Sequence, residues 1–232
     1  MQNLAERIRK DLRRVGDPSK ALVLQGFFKT GPGQYGEGDR FLGVTVPESR
    51  KIARTYAELA DFQTIRELLG SAVHEERLVA LLMLVTKSKT HLAPAAEFYL
   101  QNLDRVNNWD LVDLSAPSIL GPYLAGTERS LLYKLARSRN VWERRVAIVA
   151  TLHFIRNDDL GDTFRISEIL LHDGHDLIQK AVGWMLREAG KRDADAEEKF
   201  LRIHHQSMPR TMLRYAIERF PETKRKFFMI RR

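Results

Sequence analysis

The sequence contains no cysteine, which excludes disulfides, thiolate metal ligands and cysteine nucleophiles together. No apolar run approaches the length needed to span a bilayer, and the first residues lack the hydrophobic segment of a secretion signal. A soluble, cytoplasmic protein is therefore expected. Alternating polar and apolar runs, the mark of half-buried strands, are missing apart from residues 41–46. The glycines of the one long irregular stretch, residues 29–43, are Gly31, Gly33, Gly36, Gly38 and Gly43. They are too scattered for a GxGxxG phosphate loop and no βαβ pattern surrounds them, so a structural hinge loop is expected. The histidines show no ligand set either. His204 and His205 are adjacent and project in different directions, and His172 and His175 have no matching partners elsewhere. No metal or other cofactor is expected.

Acidic residues are in deficit: 30 Asp and Glu face 38 Lys and Arg, for a formal charge of +8 and a pI of about 9.8. That balance suits a polyanionic partner such as nucleic acid, although merely basic proteins share it. Tryptophan is scarce, with three in the chain, and each lies beside charge. Trp109 sits four residues before Asp113, on one face of a helix. Trp184 is one turn from Lys180 and Arg187, and Trp142 is followed by Glu143, Arg144 and Arg145. Any one of them is readily explained as a core residue at a helix contact. The three together point to a surface that handles something cationic or polyanionic.

The chain has 232 residues and is 44% hydrophobic, enough for one core or a short array of repeats. A single domain over residues 1–232 is expected, with 221–232 a basic segment that is either a last helix or a DNA-contacting tail. Nearly all of it reads as helix. Asp17-Pro18 and Val46-Pro47 open helices, and Asn140 followed by Glu143 launches one over 141–155. Further helices are expected over 5–15, 75–87, 93–103, 127–137, 160–171, 176–189, 194–205 and 209–220, and one carries Trp109 and Asp113. A basic residue recurs before a small or branched apolar run at Arg77, Arg145, Lys180 and Arg214, with intervals of 68, 35 and 34 residues. A period near 34 with two helices per unit predicts an all-α solenoid of helix pairs, right-handed, with the basic residues on a concave face. Such a track suits a phosphate backbone. The alternative is that these residues satisfy neighbouring helix termini inside the stack.

Four segments occur in order along most of the chain: Phe41-Leu42-Gly43-Val44 leading into Pro47, Trp109-Asp110-Leu111-Val112-Asp113, Asn140-Val141-Trp142-Glu143-Arg144-Arg145, and the stretch from Gln179 through Trp184 to Glu188. In these the chain resembles the AlkD family of DNA alkylation-repair glycosylases, built from HEAT-like repeats. It departs from the family at Asn108, where an aromatic is common, and at Phe27, which takes the place of a tyrosine.

The resemblance implies excision of cationic alkylated purines, of the 7-methylguanine and 3-methyladenine type, from double-stranded DNA by a monomer. A base made cationic by alkylation leaves without a general acid, while the sugar gains oxocarbenium character that a carboxylate and aromatic faces stabilise. Asp113 is the expected carboxylate, also able to position the attacking water, with Trp109 and Trp184 as flanking faces. Asp110 is expected to cap or pair locally. Arg145 and Arg187 are expected to clamp phosphates, with Lys180, Lys191, Arg214 and Phe27 also on the DNA side and His153 in a helix-packing role. The resemblance further implies that the lesion is handled while stacked, without the usual base flipping. Two rivals remain: a non-catalytic binder of damaged or branched DNA, and a helical-repeat scaffold for proteins. The first would usually lack the carboxylate or a tryptophan, and the second gives no reason for the Trp–Asp pair.

Overall fold

The computed structural model describes residues 3–230; Arg231 and Arg232, the end of the expected basic tail, lie outside the described residues. The described residues are helical with turns, without a strand, and the expected extended stretch at 41–46 reduces to one isolated bridge between Arg40 and Val73. The chain divides into two compact units, with the boundary between Ser115 and Ala116.

The first unit comprises α1 (Leu4–Val15), α2 (Pro18–Phe27), α3 (Val46–Tyr56), α4 (Phe62–Leu69), α5 (His74–Ser88), α6 (Leu92–Gln101) and the opening turns of α7 (Trp109–Ala125). Side-chain caps start most of these helices where the sequence offers one. Asn3 accepts from the Ala5 amide, Asp17 from Ser19 and Lys20, Thr45 from Glu48, and Asp61 from Thr64. Helix α5 packs on α3, α4 and α6. Its Leu81, Met83 and Leu84 are wholly buried with Ile65 and Leu68 of α4 and Tyr99 of α6. Each such side chain contributes on the order of 2 kcal/mol through its removal from water.

The second unit continues with α8 (Ser130–Ala136), α9 (Val141–Ala150), α10 (Leu152–Arg156), α11 (Gly161–Ile169), α12 (Asp176–Gly190), α13 (Ala194–His204), α14 (Arg210–Ala216) and α15 (Glu222–Met229). The last of these makes most of the 221–230 segment a helix. Helix α8 pairs with α9, and α12 with α13, while α9, α12 and α14 stack side by side. The repeated basic residue therefore falls on α5 in the first unit and on the stacked α9, α12 and α14 in the second. This is the arrangement of a helical-repeat protein. Helices α12 and α14 approach closely at Gly183, where a Cβ would stand 2.4 Å from the Met212 carbonyl and 2.5 Å from Tyr215 Cβ. The helix expected over 141–155 is broken at Thr151, whose buried hydroxyl donates back to the Ile148 carbonyl at 2.6 Å. A side chain that bonds its own preceding turn competes with the helix ladder and bends it.

Candidate functional site

Helix α7 begins at Trp109, directly after the fully buried Asn108. The Asn108 side chain accepts from the Trp109 amide at 2.8 Å and donates to Asp39 at 3.3 Å, which ties the helix start to the loop before α3. Trp109 is half-buried. Its indole stacks on Phe28 with centroids 5.2 Å apart and planes 6° from parallel, and Phe27 meets it edge-on at 6.0 Å. Phe27 itself is 62% exposed. Asp113 lies one turn further on, half-buried, near enough to the enclosed Tyr99 to act on it. Burial and then the Asp113 charge raise the Tyr99 hydroxyl, against the bond from Ser115.

Asp110 faces another neighbour. Its Oδ2 lies 2.8 Å from His74 Nε2, and its Oδ1 accepts from the Leu111 amide at 2.9 Å. His74 opens α5, is 2% exposed, and reaches Asp39 through Nδ1 at 3.2 Å. Asp39 also pairs with Arg77 at 2.6 Å. Burial alone would push the imidazole towards neutrality, but the bonds to Asp110 and Asp39 outweigh it and raise His74 above its ordinary value. Burial would likewise raise the Asp39 carboxyl, yet His74 and Arg77 together hold it below the usual range. The ring of His74 stacks on Phe41 at 4.6 Å and lies 4.9 Å from Phe28.

Glu75, the next residue of α5, closes the loop over this cluster. Its carboxylate accepts the amides of Leu42, Gly43 and Val44 at 2.8–3.1 Å. Gly43 is required in this turn: its φ is +78°, and a Cβ there would lie 2.0 Å from the Asp17 carbonyl. Beside it opens a cavity of about 230 Å³ lined by apolar side chains of α2 and the loop, with His74, Glu75 and Asp110 on its wall.

In the second unit Trp184, on α12, is half-buried and lines an open cavity of about 360 Å³ with Leu152, Ile155, Arg156, Glu188, Lys191 and Arg192. Arg187 pairs with Glu218 and lies 3.7 Å from Glu188. Lys180 pairs with Asp176 at 2.6 Å. Arg145 is in different surroundings from those expected of an outward clamp: it is 5% exposed and donates from Nη1 to the Leu177 carbonyl at 2.5 Å. Arg77 is equally buried and donates to the Ser71 carbonyl at 2.8 Å. Two of the four repeated basic residues thus bond the backbone of an adjoining segment, whereas Arg214 is exposed. His153 packs over Gly121, where a Cβ would come within 2.4 Å of it. Trp142 is 8% exposed, a core residue of α9.

Among the described residues no group of three or more His, Asp or Glu side chains is arranged to hold a metal ion, and no helix is long and apolar enough to cross a membrane.

The family model of DNA alkylation repair enzymes matches residues 8–220, nearly the whole chain and both units. The chain belongs to that family. A solved structure, a predicted DNA alkylation repair enzyme from Enterococcus faecalis, matches with a TM-score of 0.68 at 16% identity, over 89% of this chain and 97% of that one. At that identity the likeness is one of fold. A search of curated proteins found no match. As a member of a DNA alkylation repair family, the chain has a role in alkylation repair, with DNA as its partner.

The sequence brought Trp109, Asp110 and Asp113 into view but missed His74 and Asp39. Their signal was faint: His74 is one histidine at a helix start, and its partners lie 35 and 36 residues away in opposite directions. Arg156 and Arg192, which share the Trp184 cavity, were also passed over.

Proposed function

We propose that the protein is a DNA glycosylase that hydrolyses the N-glycosidic bond of cationic alkylated purines, acting as a monomer on duplex DNA. The observation that carries this reading is the Trp109–Asp113 pair at the start of α7, an indole and a carboxylate one turn apart in a member of an alkylation repair family. Alkylation supplies the leaving-group charge, so the protein's task is to stabilise the sugar as it becomes cationic. A carboxylate about 4 Å from that charge, at an effective dielectric of about 20, contributes about 4 kcal/mol. That corresponds to roughly a thousandfold in rate, appropriate for a lesion already prone to depurinate. An indole face adds on the order of 1 kcal/mol of cation–π attraction.

In this reading Asp113 is the carboxylate, Trp109 is held in place by its stack on Phe28, and exposed Phe27 rests against DNA. Trp184 is the aromatic contact of the second unit, with Arg187, Lys180 and Lys191 meeting phosphates. Arg145, buried and bonded to the first turn of α12, braces the helices that carry those groups. Asp110 is occupied by His74 and supports the turn. The test is release of 7-methylguanine from methylated duplex DNA under single-turnover conditions. Wild type should release base, and Asp113→Asn should lower the rate by about a thousandfold with DNA affinity little changed. Asp110→Asn should affect the rate far less at neutral pH. Binding of damaged DNA without release by wild type would favour the non-catalytic reading instead.

A further inference from the structure

We propose that His74 is a positioning residue for the Trp109–Asp113 turn, an imidazolium clamped between Asp39 and Asp110 that fixes the start of α7 and the aromatic stack against it. The inference rests on the glycosylase reading for its kinetic consequences, but its physical basis is independent of any reaction. Six contacts support it. His74 Nε2 reaches Asp110 at 2.8 Å and Nδ1 reaches Asp39 at 3.2 Å. The same Asp39 oxygen accepts from Asn108 at 3.3 Å, and Asn108 holds the Trp109 amide at 2.8 Å. The imidazole ring lies 4.9 Å from Phe28, whose far neighbour is Trp109 at 5.2 Å. One buried ring therefore touches both the hydrogen-bonded start of the helix and the stack that orients its indole.

The charge state follows from the partners. A neutral imidazole has one N–H and can donate to only one carboxylate, leaving its other nitrogen lone pair facing the second. An imidazolium donates to both. The groups facing His74 are Asp39 on the loop, Asp110 on α7, and Glu75 and Arg77 on its own helix, with Lys20 of α2 on the wall of the adjoining cavity. Glu75 is taken up by the loop amides and Arg77 by Asp39 and the Ser71 carbonyl. The Arg40 carbonyl accepts the His74 amide at 2.8 Å, so the backbone on that side adds a fixed dipole. Loss of the proton turns one of the two clamps into a repulsion between lone pairs, and the turn carrying Asp110, and with it Trp109 and Asp113, loosens.

Because its contacts with Asp110 and Asp39 raise folded His74 above its ordinary value, the clamp holds below that raised value and is lost as pH rises through it. The saturating single-turnover rate of base release should therefore show a descending alkaline limb. In Asp110→Asn, which keeps shape but removes the main partner that raises His74, the limb should move to lower pH. In His74→Gln, which donates to one side only, the limb should vanish and the rate should sit about 10–100-fold lower across the range, the usual cost of a small misplacement of reacting groups. DNA affinity should change little.

A second readout needs no catalysis. In a protein carrying Trp142→Phe and Trp184→Phe, emission from Trp109 should titrate with the same midpoint, shift acid with Asp110→Asn and stop titrating with His74→Gln. If wild type releases no base at any pH, the glycosylase reading fails and the emission titration alone decides the role of His74. If His74→Gln does not fold, the acid shift in Asp110→Asn carries the test. A Trp109 emission midpoint unmoved by Asp110→Asn overturns the proposal, as does an alkaline limb that survives in folded His74→Gln.

Discussion

Glu197 on α13 gives the fold a pH dependence of its own. It is 3% exposed, its Oε1 has no hydrogen-bond partner, and its carboxyl lies directly over Gly190, where a Cβ would come within 1.6 Å of Oε2. Burial pushes the group up to about 8, against the pull of the neighbouring Arg187 charge. In the unfolded chain it ionises near 4.5. Between those values the unfolded state releases a proton that the folded state retains, so stability falls as pH rises from about 4.5 to about 8 and is level above. A difference of roughly 3.5 pH units at 1.36 kcal/mol each sets an upper bound of about 5 kcal/mol. Glu197→Gln keeps the shape of the neutral acid and removes the ionisation. Below pH 4.5 the two proteins should have similar stability; at pH 8 the variant should be the more stable by up to that amount. At about 2–4 °C per kcal/mol the gap in Tm at pH 8 should be on the order of 10 °C. Thermal melts from pH 4 to 9 in constant ionic strength measure it. Parallel curves for the two proteins across pH 5–8 would refute the reasoning, since they would mean that Glu197 is already ionised and solvated in the folded state.

Other substitutions separate DNA holding from lesion handling and from packing. Arg187→Ala should flatten the salt dependence of binding to damaged and undamaged duplex by about one unit of slope, while Trp184→Ala should leave the slope and lower the saturating excision rate. An equal loss of slope in both, with the Trp184→Ala rate intact, would make Trp184 a structural wall. Arg145→Ala should cost stability, about 2–4 kcal/mol by denaturant melts, because it removes a buried charged donor bonded to the Leu177 carbonyl of α12 and empties the space its side chain fills. Gly183→Ala should destabilise by a similar amount, as α12 and α14 must part to admit a methyl group against the Met212 carbonyl. Glu75→Gln should loosen the loop over residues 39–45, since a neutral amide binds three converging N–H groups less well than a carboxylate; amide exchange at Leu42, Gly43 and Val44 reports it.

The helical architecture was legible because its signals are local. Asp17-Pro18, Val46-Pro47 and Asn140 act at the helix starts where a sequence reader looks for them. The short helix α4 escaped notice although Asp61 caps it, since eight residues give barely two turns of periodicity. The break at Thr151 was hidden by an apolar run that continues in phase through it. At the site, the spacing of Trp109 and Asp113 on one helix was readable, but the clamp behind it was not. A histidine between carboxylates 35 residues upstream and 36 downstream leaves no pattern in either neighbourhood. Glu75 lies in the first turn of α5, where acids are common, and only the chain path shows three amides converging on it. Arg145 and Arg77 carried a period but not a direction, and burial rather than spacing decides what a guanidinium touches.

The capture of Leu42, Gly43 and Val44 by Glu75 also divides the glycine-rich loop into two stretches with different freedom to vary. Residues 39–45 are fixed by two groups borne on α5, the Glu75 carboxylate that holds their amides and the Arg77 guanidinium that holds Asp39, so their length and register are set by groups outside the loop. The tip closes on itself instead: Gln34 accepts the Gly31 amide at 3.0 Å and Glu37 accepts the Gly33 amide at 2.9 Å, while the buried Gly36 anchors its base by donating to the Lys29 carbonyl at 3.1 Å. A self-contained turn can be lengthened at an entropic cost that grows only with the logarithm of its size. The tip around Gly33 is thus a place to graft a peptide tag or a fluorophore, and Phe41 and the helix starts behind it would keep their places.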